Sequence, residues 1–277
     1  MWFQSPEYLH WTRMFMLTQE NHDALLAYIN LLDGDKVLDV GCGTGEFTRY
    51  IAEGLKNHFT GVDLEERFIS VAQSFNSKNI EYICADAMDL PFDNDSFDVV
   101  LSHTFFTGVK NPKKAMDEMK RVCRKDGKII SVTADSFSAI PNSPGYYPKD
   151  YGWVDEFKNL KHELDLLYLV EASKYIAGIR PESIPRFFSV SGLKNVTVHQ
   201  VGKFFSLSNA SVDAEFRKEF LDAEVKAELT RTYLLSAEKK ARYEELLEVR
   251  RHDLEKPENS IWEWIGGSNL IVIGINS

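Results

Sequence analysis

The chain has 277 residues, of which 44% are hydrophobic and 27% charged. That length suits one large globular domain with insertions. No apolar run approaches the roughly 20 residues of a membrane span, and a formal net charge of -10 argues against general nucleic-acid binding. "MWFQSPEYLHWTRMFM" has no cationic start followed by an apolar core, so no signal peptide is expected. Cys42, Cys84 and Cys123 are far apart and odd in number. They show neither a disulfide framework nor a metal-ligand spacing, so no metal is expected and a reducing cytoplasm suits the chain.

The elements follow in chain order. Residues 20–32 place Leu25, Ile29 and Leu32 on one helical face before "DGD" breaks the pattern. Lys36–Val40 reads as a buried strand. Three glycines follow, and then Phe47, Tyr50, Ile51 and Leu55 recur at helical spacing. "HFTGVDL" is a second strand, followed by a helical stripe of Phe68, Ile69, Ala72 and Phe75. "IEYICAD" and "FDVVLS" are the third and fourth strands. From Pro112, the residues Ala115, Met116, Met119, Val122 and Cys123 mark a helix, with Gly127 placed where a helix C-terminal cap belongs. "KIISVTA" is the fifth strand. Short apolar strands alternating with helices predict an α/β fold, a mostly parallel sheet covered on both faces.

The alternation stops near Ala134. "IPNSPGYYPKDYGWVDEF" is rich in proline, glycine and aromatics, and a helical stripe of Phe157, Leu160, Leu164, Leu167 and Tyr168 follows. A short helix and a sixth strand run through "IPRFFSVSGLKNVTVHQVG". Residues 207–256 read as polar helices, with an apolar stripe of Tyr243, Leu246, Leu247 and Leu254. "NLIVIGI" is a seventh strand.

The glycines constrain the ligand. Gly41, Gly43 and Gly45 give G-x-G-x-G, whereas a dinucleotide site reads G-x-G-x-x-G/A. Glu46 stands at the third position of that pattern and would repel a pyrophosphate, and no Gly-Lys-Ser/Thr follows to make a phosphate loop. The ligand is therefore expected to carry no phosphate and to approach the backbone closely. Asp63 ends the second strand, 18 positions after Gly45, where a carboxylate accepts both hydroxyls of a ribose. Asp86, with Ala87 and Met88 after it, is placed to accept an exocyclic amine while its neighbours sandwich the ring. Asp39, inside the first strand, needs a partner such as an ammonium. Together these features describe an adenosine with a cationic amino-acid tail.

"VLDVGCGTGEFT", "GVDL", "ICADAMDLPFDNDSFDVVLS" and "EMKRVCRKDGKII" resemble, in order, the motifs of class I S-adenosylmethionine-dependent methyltransferases, in particular the quinone-biosynthesis branch. The resemblance spans 34–134 and, more weakly, 181–202 and 268–275. It implies a Rossmann-like seven-stranded sheet in the order 3-2-1-4-5-7-6 with the last strand antiparallel. It also implies S-adenosylmethionine at Asp39, Gly41, Cys42, Gly43, Gly45, Asp63, Leu64, Asp86, Ala87, Met88, Ser102 and His103. Cys42 is read as a small filler whose backbone matters and not as a nucleophile: a helix start can lower a thiol pKa, but methyl transfer from a sulfonium requires no thiol. His103 lies where the resemblance places the methionine end of the cofactor; it is a general base, a wall of the site or a hydrogen-bonded core histidine. Tyr8, Trp11, Tyr146, Tyr147 and Tyr151 are candidates for the acceptor pocket.

The expected organisation is a single domain over 1–277. It comprises a helical cap (1–33), a cofactor core (34–134), a lid insertion (135–180), the rest of the sheet (181–206 and 266–277) and a helical insertion (207–265). The expected function is methyl transfer to a small-molecule acceptor by a monomer or homodimer, without nucleic-acid or membrane partners. The alternatives are a cofactor-binding protein without turnover and a macromolecular acceptor.

Overall fold

The computed structural model describes residues 13, 17–134, 151–173, 178–206, 212–256 and 264–277. Tyr8, Trp11, Tyr146 and Tyr147 lie outside the described residues. The strands are β1 (Lys36–Val40), β2 (His58–Asp63), β3 (Ile80–Cys84), β4 (Phe97–His103), β5 (Cys123–Ala134), β6 (Lys194–Ser206) and β7 (Trp264–Ile275). They form one sheet in the order β3-β2-β1-β4-β5-β7-β6. β7 alone runs antiparallel to its two neighbours. The order and the strand directions are those implied by the resemblance.

Helix α1 (Gln19–Ile29) starts at Thr18, whose hydroxyl accepts from the Asn21 N–H. It ends at Asn30, whose φ of 49° turns the chain into the left-handed region. Leu25 and Ile29 are buried as expected, but Leu32 falls beyond this cap and is 60% exposed. Helices α2 (Glu46–Ala52) and α3 (Glu66–Gln73) follow β1 and β2. Phe75 lies past the end of α3 and is exposed, with the Arg49 guanidinium 3.8 Å above its ring. Helix α4 (Pro112–Val122) begins with proline after Asn111, whose side chain caps the Lys114 N–H at 3.0 Å.

Gly127 does not end α4. Cys123 is the cap, and the strand starts there, with a register shift between Phe97 and Val99 on its neighbour. Gly127 is small because a Cβ there would lie 2.7 Å from the Asp98 carbonyl and 2.7 Å from the Cys123 Sγ. The glycine thus marks a tight irregularity inside a strand.

Alternate strand residues fill two separate cores. Leu38, Val40, Val62, Val100, Ile129 and Val272 face Met116 and Met119 of α4 and Phe188 of α6 (Ile184–Val190). Val37, Phe59, Val99, Leu101, Ile130 and Ile271 face Leu25 and Ile29 of α1 and Phe47 and Ile51 of α2. Each such aliphatic side chain, taken fully out of water, contributes about 1.5–3 kcal/mol.

A second body of helices comes from two distant stretches of sequence. Helix α5 (Val154–Ser173) precedes β6, whereas α7 (Ala214–Leu229) and α8 (Ala237–Leu254) lie between β6 and β7. Phe157 and Leu164 of α5, Leu235, and Tyr243, Leu246 and Leu247 of α8 form a core shared by α5 and α8. The stripe expected on α8 is buried there, while Leu167 of α5 is 36% exposed. Residues 264–268 of β7 run beyond the end of β5, still paired with β6. The carboxyl ends of β5 and β6 and the start of β7 lie at one edge of the sheet, so all three connections to these helices leave from the edge where β1 and β4 end.

Candidate functional site

The site begins at the turn after β1. Gly41, Gly43 and Gly45 have φ values of 76°, 57° and 74°, a region that favours glycine. The Gly41 and Cys42 N–H groups both donate to the Val62 carbonyl, at 2.8 and 2.9 Å, which ties the turn to β2. Added Cβ atoms would lie 2.5 Å from the Phe105 ring at Gly41 and 2.5 Å from the Tyr82 hydroxyl at Gly45. Close approach at these two glycines therefore serves the protein's own aromatic rings as well.

Asp63 ends β2 beside this turn. Its Oδ2 accepts from the Gly43 N–H and its Oδ1 from the Glu65 N–H, each at 2.9 Å. A carboxylate offers about four acceptor positions, so each oxygen keeps one for a ligand. Burial raises the Asp63 pKa, and the backbone donors of Glu65, Gly43 and Leu64 oppose that rise. Leu64, next to it, is 63% exposed. Asp86 lies two residues beyond the end of β3 rather than at it, and its Oδ1 accepts from the Met88 N–H at 2.8 Å. Ala87 and Met88 are half-buried.

Asp39 is fully buried on the face of the sheet covered by α2. The Thr48 hydroxyl donates to its Oδ2 at 2.6 Å, and its Oδ1 has no partner. Burial pushes its pKa up to about 7, the Thr48 bond and Arg13 pull it down, and Asp63 pushes it up. A buried carboxylate with one idle oxygen is poised for a cation. Cys42 stands at a helix start, a position that can lower a thiol pKa, but the shift here is upward. Burial first, and then the Asp39 and Asp63 charges, raise its thiol well above the ordinary value, so it is not a nucleophile.

At the end of β4, Ser102 is fully buried and its hydroxyl has no partner. His103 stacks on Phe47 of α2, with ring centroids 4.5 Å apart. Burial, then the positive charge of Arg13, lowers its pKa well below the ordinary value. It is therefore a neutral imidazole. Its Nδ1 lies 3.4 Å from the Thr104 hydroxyl, and the Asn269 side chain bonds the ring from β7. Thr104 has a φ of 51° and also receives the Arg13 Nη2, at 3.4 Å. Tyr151 lies instead at the foot of α5, edge-on to Trp153, which donates to Asp253 of α8 at 3.0 Å.

Arg13, Thr48 and Asn269 join this site without having been singled out in the sequence. Thr48 was readable in principle, because a buried acid in a strand needs a donor from the adjoining helix. Arg13 and Asn269 are 90 residues or more from the residues they adjoin, and no local pattern marks them. A separate open groove of about 530 Å³ runs outside α2, lined by Leu17, Arg49, Tyr50 and Phe75, and touches the site only through Arg13 and Glu46. It lies away from Asp39, Asp63 and Asp86, and its mixed charges suit solvent.

Comparison with known proteins agrees with this geometry. Residues 38–131 match the methyltransferase domain family. The demethylmenaquinone methyltransferase of Bacillus subtilis is 27% identical over 185 residues, covering 64% of this chain and 78% of that enzyme. The enzyme of the same name from Staphylococcus epidermidis (strain ATCC 35984) is 34% identical over 110 residues, covering 38% of this chain and 46% of that enzyme. Among solved structures, the YcgJ protein of Bacillus subtilis superposes with a TM-score of 0.53 at 20% identity, over 94% of this chain and 99% of that one. A phosphoethanolamine N-methyltransferase of Haemonchus contortus, solved with S-adenosyl-L-methionine, gives 0.53 at 17% identity, over 93% of this chain and 52% of that one. These two identities speak to the fold. The matched domain and the curated relatives make the chain similar to S-adenosylmethionine-dependent methyltransferases.

Proposed function

We propose that this enzyme methylates a small molecule, with the cofactor held at the carboxyl ends of β1 to β4. The observation that carries the reading is Asp39, a buried carboxylate with one idle oxygen beside a turn of left-handed glycines. Bound there, S-adenosylmethionine supplies a sulfonium-activated methyl group that an acceptor takes by in-line displacement. Asp39 pairs with the ammonium of the methionine tail. Asp63 uses its two remaining acceptor positions for the ribose hydroxyls. Asp86 takes the exocyclic amine of the base, and Leu64, Ala87 and Met88 give the ring apolar faces. The turn of Gly41, Cys42, Gly43 and Gly45 contributes backbone, and Ser102 walls the site from β4. The protein's share of catalysis is alignment in a water-poor site.

Two observations support a small acceptor over a macromolecular one. The helices α5, α7 and α8 join the sheet at the edge where the cofactor residues gather, which suits an enclosed pocket. The net charge of -10 disfavours a nucleic acid. The name shared by the two curated relatives points further, to a quinone-type ring like demethylmenaquinone. We place Tyr151 on the side of this pocket formed by the helices.

The test has two parts. Asp63→Ala should weaken S-adenosylhomocysteine binding by roughly ten- to a hundredfold, the equivalent of about 1.5–3 kcal/mol for hydrogen bonds to a charged group. Calorimetric titration of the folded variant reads this directly, and unchanged affinity removes Asp63 from the site. Incubation of the wild-type enzyme with methyl-labelled cofactor and a cell extract should place label in the low-molecular-weight fraction. Label confined to protein or RNA would overturn the acceptor class.

A further inference from the structure

Residues 85–96 belong to no helix or strand, yet they carry Asp86, Ala87 and Met88. This loop is tied down at both ends. At its start, the Ala85 N–H donates to the Asp63 carbonyl at 2.9 Å, which joins it to the end of β2. Asp86 to Asp89 then form a turn, closed by the Asp89 N–H on the Asp86 carbonyl at 2.9 Å. Beyond the turn there is no strand to pair with, and the backbone is held from α4 instead.

Glu118 and Arg121, one turn apart on α4, do the holding. The Leu90 N–H donates to the Glu118 Oε2 at 2.8 Å, and the Leu90 carbonyl accepts from the Arg121 Nη2 at 2.8 Å. The Arg121 Nη1 donates to the Phe92 carbonyl at 2.7 Å and to the Asn94 Oδ1 at 3.1 Å. The remaining guanidinium donors go to Glu118, Nε to Oε1 at 2.8 Å and Nη2 to Oε2 at 2.7 Å. All five N–H groups of the fork are thereby used. Helix α4 cannot follow the loop if the loop moves, because Met116, Met119 and Val122 are buried against the sheet.

Stability alone is a weak reason for this arrangement. The Arg121 and Glu118 side chains are 31% and 18% exposed, and a pair open to water contributes little. The Leu90 side chain, 3% exposed, already anchors the loop in the core. An apolar anchor leaves the peptide planes free to rotate about it, whereas bonds to both the N–H and the carbonyl of Leu90 fix them. The Asp86 carboxylate depends on that orientation, since its Oδ1 accepts from the Met88 N–H of the same turn.

We infer that Glu118 and Arg121 are positioning residues for base recognition, a role that rests on the assignment of Asp86 to the exocyclic amine above. They act through Leu90, holding the turn so that the Asp86 carboxylate meets the amine at one fixed height and angle. Neither side chain touches the ligand.

The experiment titrates S-adenosylhomocysteine and its desamino analogue, which has purine in place of adenine, into wild type, Arg121→Met and Glu118→Ala. The wild type should bind the adenine form at least about tenfold more tightly, the equivalent of about 1.4 kcal/mol. Each variant should bring that ratio to within about threefold of one, by weakening the adenine form. Arg121→Lys keeps the charge without the planar fork and should lose the preference as well. It carries the comparison if Arg121→Met does not fold. Urea midpoints are measured alongside. A lowered midpoint with the ratio intact shows a merely structural tie and overturns the inference alone. A wild type that binds both forms equally removes Asp86 from the base and takes the inference with it, and a wild type that binds neither does so by removing the cofactor assignment. The three failures are separable.

Discussion

The sheet site and the helical body both bury polar groups, and they treat them in opposite ways. In the helices, both carboxylate oxygens of Glu228 are engaged. Lys161 lies 3.5 Å from its Oε1, Arg231 pairs with the same oxygen, and the Tyr243 hydroxyl donates to Oε2 at 2.9 Å. Arg250, more deeply buried, is held by Glu224 at 2.8 Å. At the carboxyl ends of the strands, Asp39 and Ser102 each keep a buried polar atom without a partner. An unmet buried group costs about 1–3 kcal/mol. Such groups also occur at His22, Ser131 and Thr133, but Asp39 and Ser102 stand beside the glycine turn, where a ligand can meet them. The paired groups build; these two are placed to bind.

Glu228 gives the largest test of that contrast. Burial alone would raise its pKa, but Lys161 and Arg231 outweigh burial, and the net shift is downward. Glu228→Ala strands Arg231 and Lys161 without a counter-charge. Breaking a buried pair in this way costs on the order of 3–5 kcal/mol. Urea denaturation followed by circular dichroism should show that loss, and the loss should be largest near neutral pH. With a folded pKa below the unfolded one, the carboxylate's contribution is present above the unfolded pKa and fades as pH falls through the folded value. A change of stability under about 1 kcal/mol would mean that the network is as dispensable as a surface pair.

Asp39 should behave in the opposite sense. Its folded pKa of about 7 lies above the ordinary carboxylate value of 3.8. Between roughly pH 4 and 7 the native state therefore holds more protons than the unfolded state, and stability falls as pH rises through that window. Asp39→Asn removes this term and can keep the bond from Thr48. The variant should be more stable than wild type at pH 8, by up to a few kcal/mol, and should lose that advantage near pH 4. The same substitution should weaken S-adenosylhomocysteine binding, because the ammonium loses its counter-charge. In the wild type, affinity should fall by about tenfold per pH unit below 7, since only the ionised carboxylate pairs with the cation. Calorimetry from pH 5.5 to 8.5 measures both. A flat wild-type profile would detach Asp39 from the ligand.

The two regions also differed in how far the sequence disclosed them. Strand periodicity, glycine spacing and acids at strand ends are local signals, and they revealed β1 to β5, the glycine turn and the positions of Asp39, Asp63 and Asp86 to within two residues. Errors came where a tertiary contact overrode the local pattern. Leu32 falls beyond the Asn30 cap, and Gly127 serves a close approach to Asp98 rather than a helix end. At Cys42 too the local signal, a helix start that can activate a thiol, is outweighed by burial and two carboxylates. The helical stripes of α5 and α8 were legible one at a time, but not their union. Phe157 stacks on Tyr243 across 86 positions, with ring centroids 5.5 Å apart, and nothing local announces such a partner. Arg13 and Asn269 were hidden for the same reason.

The smallest expected effect comes from an ion pair that looks as good as any in the helical body. Arg242 grips Glu156 with two bonds, at 2.9 and 2.6 Å, and Glu245 with a third, at 2.8 Å. By distance alone it matches Arg250 with Glu224. Exposure separates the two. The Arg242 and Glu156 side chains are 40% and 46% exposed, whereas Arg250 is 6% exposed. Water solvates the exposed charges almost as well as they solvate each other, and holding two long side chains in one geometry costs entropy. The Glu156 pKa is lowered chiefly by the Arg242 bond, but a shift in a solvated group carries little stability with it. Arg242→Ala should therefore leave the urea midpoint within experimental error, in low salt and in high. Arg250→Ala, in the same helix, should lower it clearly, because Glu224 loses its partner and the guanidinium leaves its place 5.6 Å from the centre of the Phe157 ring. Equal effects from the two substitutions would show that bond count, rather than burial, governs the helical body, and would remove the ground for reading unpaired buried groups at the strand ends as a site kept open for ligands.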